Sequence, residues 1–164
     1  MRKIIVVLLF LVNTLLGYDG IERLYTFIGV QNGYSRYDNI DASTIGFTYG
    51  KQNEDWRTSI NYNYAYSREH TYHSLIMQID TGILIDLFKD SQAKPYIGVA
   101  FGVMEHRKGG IHDRGALYGG TIGFNYVFNR SIDLDLGYRL MSSEKLKNFD
   151  MRGDIMLSLH YYFD

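Results

Sequence analysis

From Met151 to Phe163 the chain alternates with a period of two. Met151, Gly153, Ile155, Leu157, Leu159, Tyr161 and Phe163 fall on one side, and Arg152, Asp154, Met156, Ser158, His160 and Tyr162 on the other. Side chains two apart share a face in a strand, whereas a helix repeats every ~3.6 residues, so this stretch reads as a strand with one apolar and one polar face. The apolar face ends in Tyr161 and Phe163, next to the final Asp164. Aromatic rings at the end of such a face suit a membrane–water boundary, where one side chain meets both media.

The same pattern predicts seven further strands. Residues 24–34 set Leu24, Thr26, Ile28 and Val30 against Tyr25, Phe27, Gly29 and Gln31, and residues 43–50 set Ile45, Phe47 and Tyr49 against Thr44, Gly46, Thr48 and Gly50. The clearest is 56–67, where Trp56, Thr58, Ile60, Tyr62, Tyr64 and Tyr66 alternate with Arg57, Ser59, Asn61, Asn63, Ala65 and Ser67. Residues 75–86 follow, with Asp80 and Asp86 on the polar side. Pro95 then opens 95–103, at a strand start, where a missing N–H is tolerated. Tyr118, Ile122, Phe124, Tyr126 and Phe128 mark a sixth strand, and Ile132, Leu134, Leu136, Tyr138 and Leu140, opposite Asp133, Asp135, Gly137 and Arg139, a seventh. Polar breaks at 53–55, 89–94 and 129–131 read as short turns, and those at 36–42, 67–73, 105–114 and 142–150 as loops.

Charge decides between a soluble and a membrane barrel. None of the eight apolar faces carries Asp, Glu, Lys or Arg, while the opposite faces carry Arg57, Asp80, Asp86, Asp133, Asp135, Arg139, Arg152 and Asp154, with His160. A soluble ligand-carrying barrel has the reverse arrangement, and an arginine on a lipid face costs about 2 to 4 kcal/mol at the bilayer midplane. An open sheet edge in lipid would leave backbone groups unpaired, so the sheet must close. The expected fold is all-β: an eight-stranded antiparallel up-and-down transmembrane β-barrel. Trp56, Phe128, Tyr161 and Phe163 fit one aromatic girdle, and Tyr34, Tyr66, Tyr118 and Tyr138 the other.

The N-terminus reads as a secretory signal peptide. Arg2 and Lys3 precede the apolar run Ile4 to Val12, which Asn13 and Thr14 interrupt, so it is too short to span a membrane. Cleavage is expected after Gly17 or Gly20, giving a signal over residues 1–17 and a single barrel domain over 18–164. Removing 1–17 takes the formal charge from −1 to −3, because two basic and no acidic residues leave. So mild an acidity argues against nucleic acid, and none is expected as a partner. With no cysteine there is no disulfide framework and no thiolate metal site.

Taken together, residues 24–163 resemble the small eight-stranded bacterial outer-membrane barrels, those of the OmpA transmembrane-domain and opacity type. The terminal Leu157, Leu159, Tyr161, Phe163 series is similar to the signal that the barrel-assembly machinery reads in such proteins. The resemblance implies location in the outer membrane with both termini periplasmic, outer-membrane lipid and lipopolysaccharide as surroundings, a monomer and no cofactor.

For function the inward charges come first. An eight-stranded interior is just filled by side chains, so Arg57, Asp80, Asp86, Asp133, Asp135, Arg139, Arg152, Asp154 and His160 are expected to pair with one another and plug the lumen. Inward glycines 98, 102, 119 and 123 leave room for bulky partners or a narrow void. The expected function is a structural or surface membrane protein without a wide pore, and the alternative is a narrow porin-like channel. His70, His73, His106 and His112, placed in two loops, are the candidates for a divalent metal, although loop spacing fixes no geometry and solvated histidines are the plainer expectation. A lipid A-modifying enzyme would need His, Ser and acid together at the rim; Glu69, His73 and Ser74 lie nearest, but neighbours on a strand face opposite ways. A surface adhesin would want longer loops. No enzymatic activity is expected.

Overall fold

The computed structural model describes residues 24–53, 56–81, 92–143 and 151–163. Eight strands run in chain order around a closed, wholly antiparallel barrel: β1 (Tyr25–Tyr37), β2 (Ile40–Gln52), β3 (Trp56–Ser67), β4 (His70–Thr81), β5 (Ala93–Lys108), β6 (Ile111–Asn129), β7 (Ile132–Ser143) and β8 (Met151–Phe163). The expected fold is therefore the one formed, and β8 has the bounds that its alternation marks. β1 pairs with β8 from Thr26↔Phe163 to Tyr37↔Arg152, so no edge is left open.

Strand tilt follows from the register. Ladder partners followed from Tyr37 lead through Arg152, Met141, Gly119, Ala100, Gln78, Ser59 and Gly50 back to β1 at Phe27, a stagger of 37 − 27 = 10 residues. Ten residues of about 3.4 Å against eight strands about 4.8 Å apart tilt the strands by about 40°. At that tilt the outward aromatics Tyr118 and Phe128 of β6 are separated by about 25 Å along the axis, the height of the apolar band of a membrane barrel.

The barrel is inside out. Val30, Ile60, Leu136 and Leu157 stand exposed on the outer face, whereas Arg152 and Asp154 are fully enclosed within. The girdle residues Trp56, Tyr66, Tyr118, Phe128 and Tyr138 all lie outward and exposed, as do Leu157, Leu159, Tyr161 and Phe163. Inside, the half away from the chain termini is not polar as the alternation suggests. Ile76, Met104, Leu117 and Met141 pack with Tyr37 and Tyr72 into an apolar layer.

The structure corrects the loops. Where 36–42, 67–73 and 105–114 read as loops, the strands run on to two-residue turns at 38–39, 68–69 and 109–110. Beyond the apolar belt the outer face turns polar, as at Arg36 and Asp41, while the inner face carries Tyr37, Ala42 and Tyr72, so the apolar-outside alternation is lost although the ladder continues. Asp38, Arg68, Gly109 and Gly110 take positive φ there, 50°, 37°, 51° and 87°. That geometry matches a tight turn to the twist of its strands and comes without steric cost only to the glycines. His70 and His73 therefore lie on β4, His106 on β5 and His112 on β6, not in loops. The signal peptide, Asp86 and residues 144–150 lie outside the described residues.

Candidate functional site

The lumen gathers buried polar chemistry, and it is filled in three layers. Nearest the chain termini, His160 of β8 and Asp133 of β7 are ladder partners, and His160 Nδ1 lies 2.8 Å from an Asp133 oxygen. The Tyr162 hydroxyl donates to the other oxygen of Asp133, and the Phe27 ring covers His160 at 4.8 Å.

The middle layer is a continuous network. Arg57 donates Nη1 to Asp135 at 2.8 Å and Nε to Asp80 at 3.0 Å, with the Tyr96 ring 4.5 Å from the guanidinium carbon. The Tyr96 hydroxyl bonds Asp135 at 2.9 Å, and it lies 2.5 Å from where a Cβ on Gly123 or Gly137 would be. Those two inward glycines make the space that Tyr96 fills. Gln78 links the halves, donating to Asp80 at 3.0 Å and accepting from Arg139 at 3.4 Å. Arg139 places Nε and Nη2 at 3.0 and 2.9 Å from one oxygen of Asp154, and Arg152 places Nε at 2.7 Å from the other. Arg152 Nη1 reaches Ser74 at 2.9 Å across the lumen. Three arginines thus meet three aspartates, each charge hydrogen-bonded, which is how charge survives burial.

The third layer caps the far end. Tyr37 stacks on Tyr72 at 3.7 Å, Tyr72 on His106 at 4.6 Å, and His106 on His70 at 5.1 Å, with the ring planes nearly parallel. His70 Nδ1 and His106 Nε2 share a hydrogen bond of 2.9 Å. Burial disfavours the charged imidazolium and lowers both pKa values, with Lys108 adding to the effect on His70 and His70 itself on His106. The other two histidines are elsewhere: His73 bonds the Tyr62 hydroxyl at 2.9 Å, and His112 lies 3.4 Å from Glu105. Among the described residues no three metal-ligating side chains converge. His73 and Ser74 do face opposite ways, with Ser74 buried against Arg152.

Outside the barrel, Glu105 gathers three basic side chains from the β5–β6 hairpin. Arg107 Nε lies at 2.6 Å, Arg114 Nη2 at 2.9 Å and His112 Nδ1 at 3.4 Å. The hydrogen bond from Arg107 leads in holding the Glu105 carboxyl down to about 2. Period-two reading placed the inward charges, but it missed Tyr96, Gln78, Ser74 and the stacked rings as their partners, and it missed this cluster. The glycine pair 109–110 was the available signal, since a turn centred there sets Glu105 opposite Arg114.

Solved structures share the fold, among them the following three. Neisserial surface protein A superposes with a TM-score of 0.69 at 16% identity, over 85% of this chain and 97% of that one. The N-terminal β-barrel domain of Pseudomonas aeruginosa OprF gives 0.54 at 14% identity, over 86% and 100%. Ail, the attachment invasion locus protein of Yersinia pestis, in complex with the heparin analogue sucrose octasulfate, gives 0.51 at 14%, over 87% and 99%. No family model and no curated sequence matches the chain.

Proposed function

We propose that the chain is an integral outer-membrane protein that acts as a structural or surface element with a closed lumen, and not as a wide pore. The carrying observation is the unbroken network Asp135–Arg57–Asp80–Gln78–Arg139–Asp154–Arg152–Ser74, which spans the interior and has every charge paired. The ring stack and apolar layer above it support the same reading. Location in the outer membrane is supported by the charge-free outer face and its aromatic girdles, with lipid and lipopolysaccharide as the surroundings. In this reading the termini are periplasmic, the far end with its two-residue turns faces outward, and Leu157, Leu159, Tyr161 and Phe163 serve the assembly machinery. Among the described residues the turns at that end are two residues long and offer little surface for adhesion.

One observation favours the narrow-channel alternative. Asn63 is 1% exposed, yet neither atom of its amide has a protein partner, and a buried amide without one calls for water. Planar-bilayer recording of the refolded mature chain separates the two. The closed reading expects no stable steps, and large, long-lived channels in the unaltered protein would overturn it.

A further inference from the structure

We infer that the outer face of the β5–β6 hairpin docks the phosphorylated headgroup of a glycolipid in the membrane leaflet around the far end, an inference that rests on the outer-membrane reading above. The last outward apolar residues there are Val103 and its partner Ala116. Two residues on, Glu105 stands opposite Arg114, and two further, Arg107 opposite His112. Each two-residue step on a strand tilted by about 40° raises a side chain by about 5 Å, and the polar layer on each side of the hydrocarbon is about 5 to 8 Å thick. Glu105 and Arg114 therefore lie in the headgroup layer, with Arg107 and His112 at its water side.

The charge there is not balanced. One carboxylate faces two guanidiniums and an imidazole. The Glu105 side chain is 17% exposed while those of Arg107, His112 and Arg114 are 49%, 54% and 77% exposed. The anion is sunk beneath its cations and holds them side by side. Arg107 gives it only Nε, and Arg114 gives Nε and Nη2. Both Nη groups of Arg107 and Nη1 of Arg114 are left to donate, in the forked geometry that suits phosphate oxygens. On the opposite side of this rim no such excess is seen: Arg36 lies 3.8 Å from the Asp41 carboxylate and donates to the Asp38 backbone carbonyl, one acid to one base. Directly beneath the cations, Phe101, Val103 and Tyr118 are exposed for acyl chains. Cations above an apolar face fit an amphiphile with a phosphorylated headgroup and not a free anion, and in the leaflet that the outer-membrane reading puts at this end that amphiphile is a glycolipid.

The test is native mass spectrometry of the folded mature chain in detergent with bis-phosphorylated lipid A or its dephosphorylated form. The unaltered protein should retain the phosphorylated lipid preferentially. The double variant R107Q/R114Q should bind it about 25-fold more weakly, about five-fold for each arginine, while R36Q on the opposite side should bind as the unaltered chain does. Equal retention of the two lipids, unchanged binding by R107Q/R114Q, or displacement by inorganic phosphate at concentrations like the lipid's own would overturn the inference. Heat-modifiable gel mobility, followed in every sample, reports separately on the barrel. Its absence in the unaltered chain would sink the membrane reading itself.

Discussion

Arg139→Ala tests whether the lumen network closes the barrel. Arg139 is 4% exposed and spends all three guanidinium nitrogens inside, two on Asp154 and one on Gln78. Its removal leaves Arg57 and Arg152 against Asp80, Asp135 and Asp154. Breaking a buried pair by deleting one partner costs about 3 to 5 kcal/mol, and the lower end applies because Asp154 keeps Arg152. With a urea dependence of about 1 to 3 kcal/mol per molar, a loss of about 3 kcal/mol lowers the unfolding midpoint by about 1 to 3 M. Trp56, the single tryptophan, sits outward on the girdle near the termini, so its fluorescence follows departure from the membrane. The opened network should also hydrate, giving brief conductance steps where the unaltered protein is silent. Asp135→Asn is the graded control: Arg57 keeps Asp80 at 3.0 Å, so the shift should be about 1 to 2 kcal/mol. An Arg139→Ala barrel as stable and as silent as its parent would refute the role given to this residue.

Other outcomes follow from the outer surface. Leu136→Arg, midway between the girdles, should cost about 2 to 4 kcal/mol in vesicles, and Val103→Arg, at the rim, at most about 1; equal costs would show the belt to be misplaced. Phe163→Ala should reduce assembly in cells more than it lowers the urea midpoint of barrel already folded, and unchanged assembly would make the terminal series accidental. Glu105, held at about 2 against an ordinary 4.5, contributes stability that is present above about 4.5 and lost as pH falls towards 2. The unaltered chain and Glu105→Gln should therefore differ at neutral pH and converge in acid, and a gap that persists at pH 2 would contradict the ion cluster.

How much the sequence discloses depends on what lies on each side of a strand. Where lipid borders one face and packed polar groups the other, as from Trp56 to Ser67, the two faces demand different residues and the facing is legible. Where the outer face turns to water over an inner face of buried rings, as at Arg36 beside Tyr37, the apolar-outside alternation is lost, and where both faces are apolar, as around Ile76 and Leu117, the pattern fades. That is why the ladders beyond the belt and the apolar layer inside it were hidden. Partnership was hidden for another reason. Arg57 and Asp135 stand 78 positions apart, and only the stagger of the closed sheet brings them together. His70 and His106 likewise become neighbours through the β4–β5 register, which the loop reading of both segments concealed. The Arg68 turn carries no glycine or asparagine to announce it.

The seam between β1 and β8 sets an order in time. Phe163 must find Thr26, its partner from the opposite end of the described chain, so this ladder is the last that synthesis can supply. Arg152 and Asp154 ride on that strand, as does His160. Until it arrives, Arg139 has no Asp154, Asp133 has no His160, and the sheet has two raw edges. A chain lacking its final strand is thus marked twice, by unpaired backbone and by uncompensated charge. Completion of the interior hydrogen-bonded pairs and closure of the ring are reached in the same event, so an unfinished barrel cannot pass for a finished one.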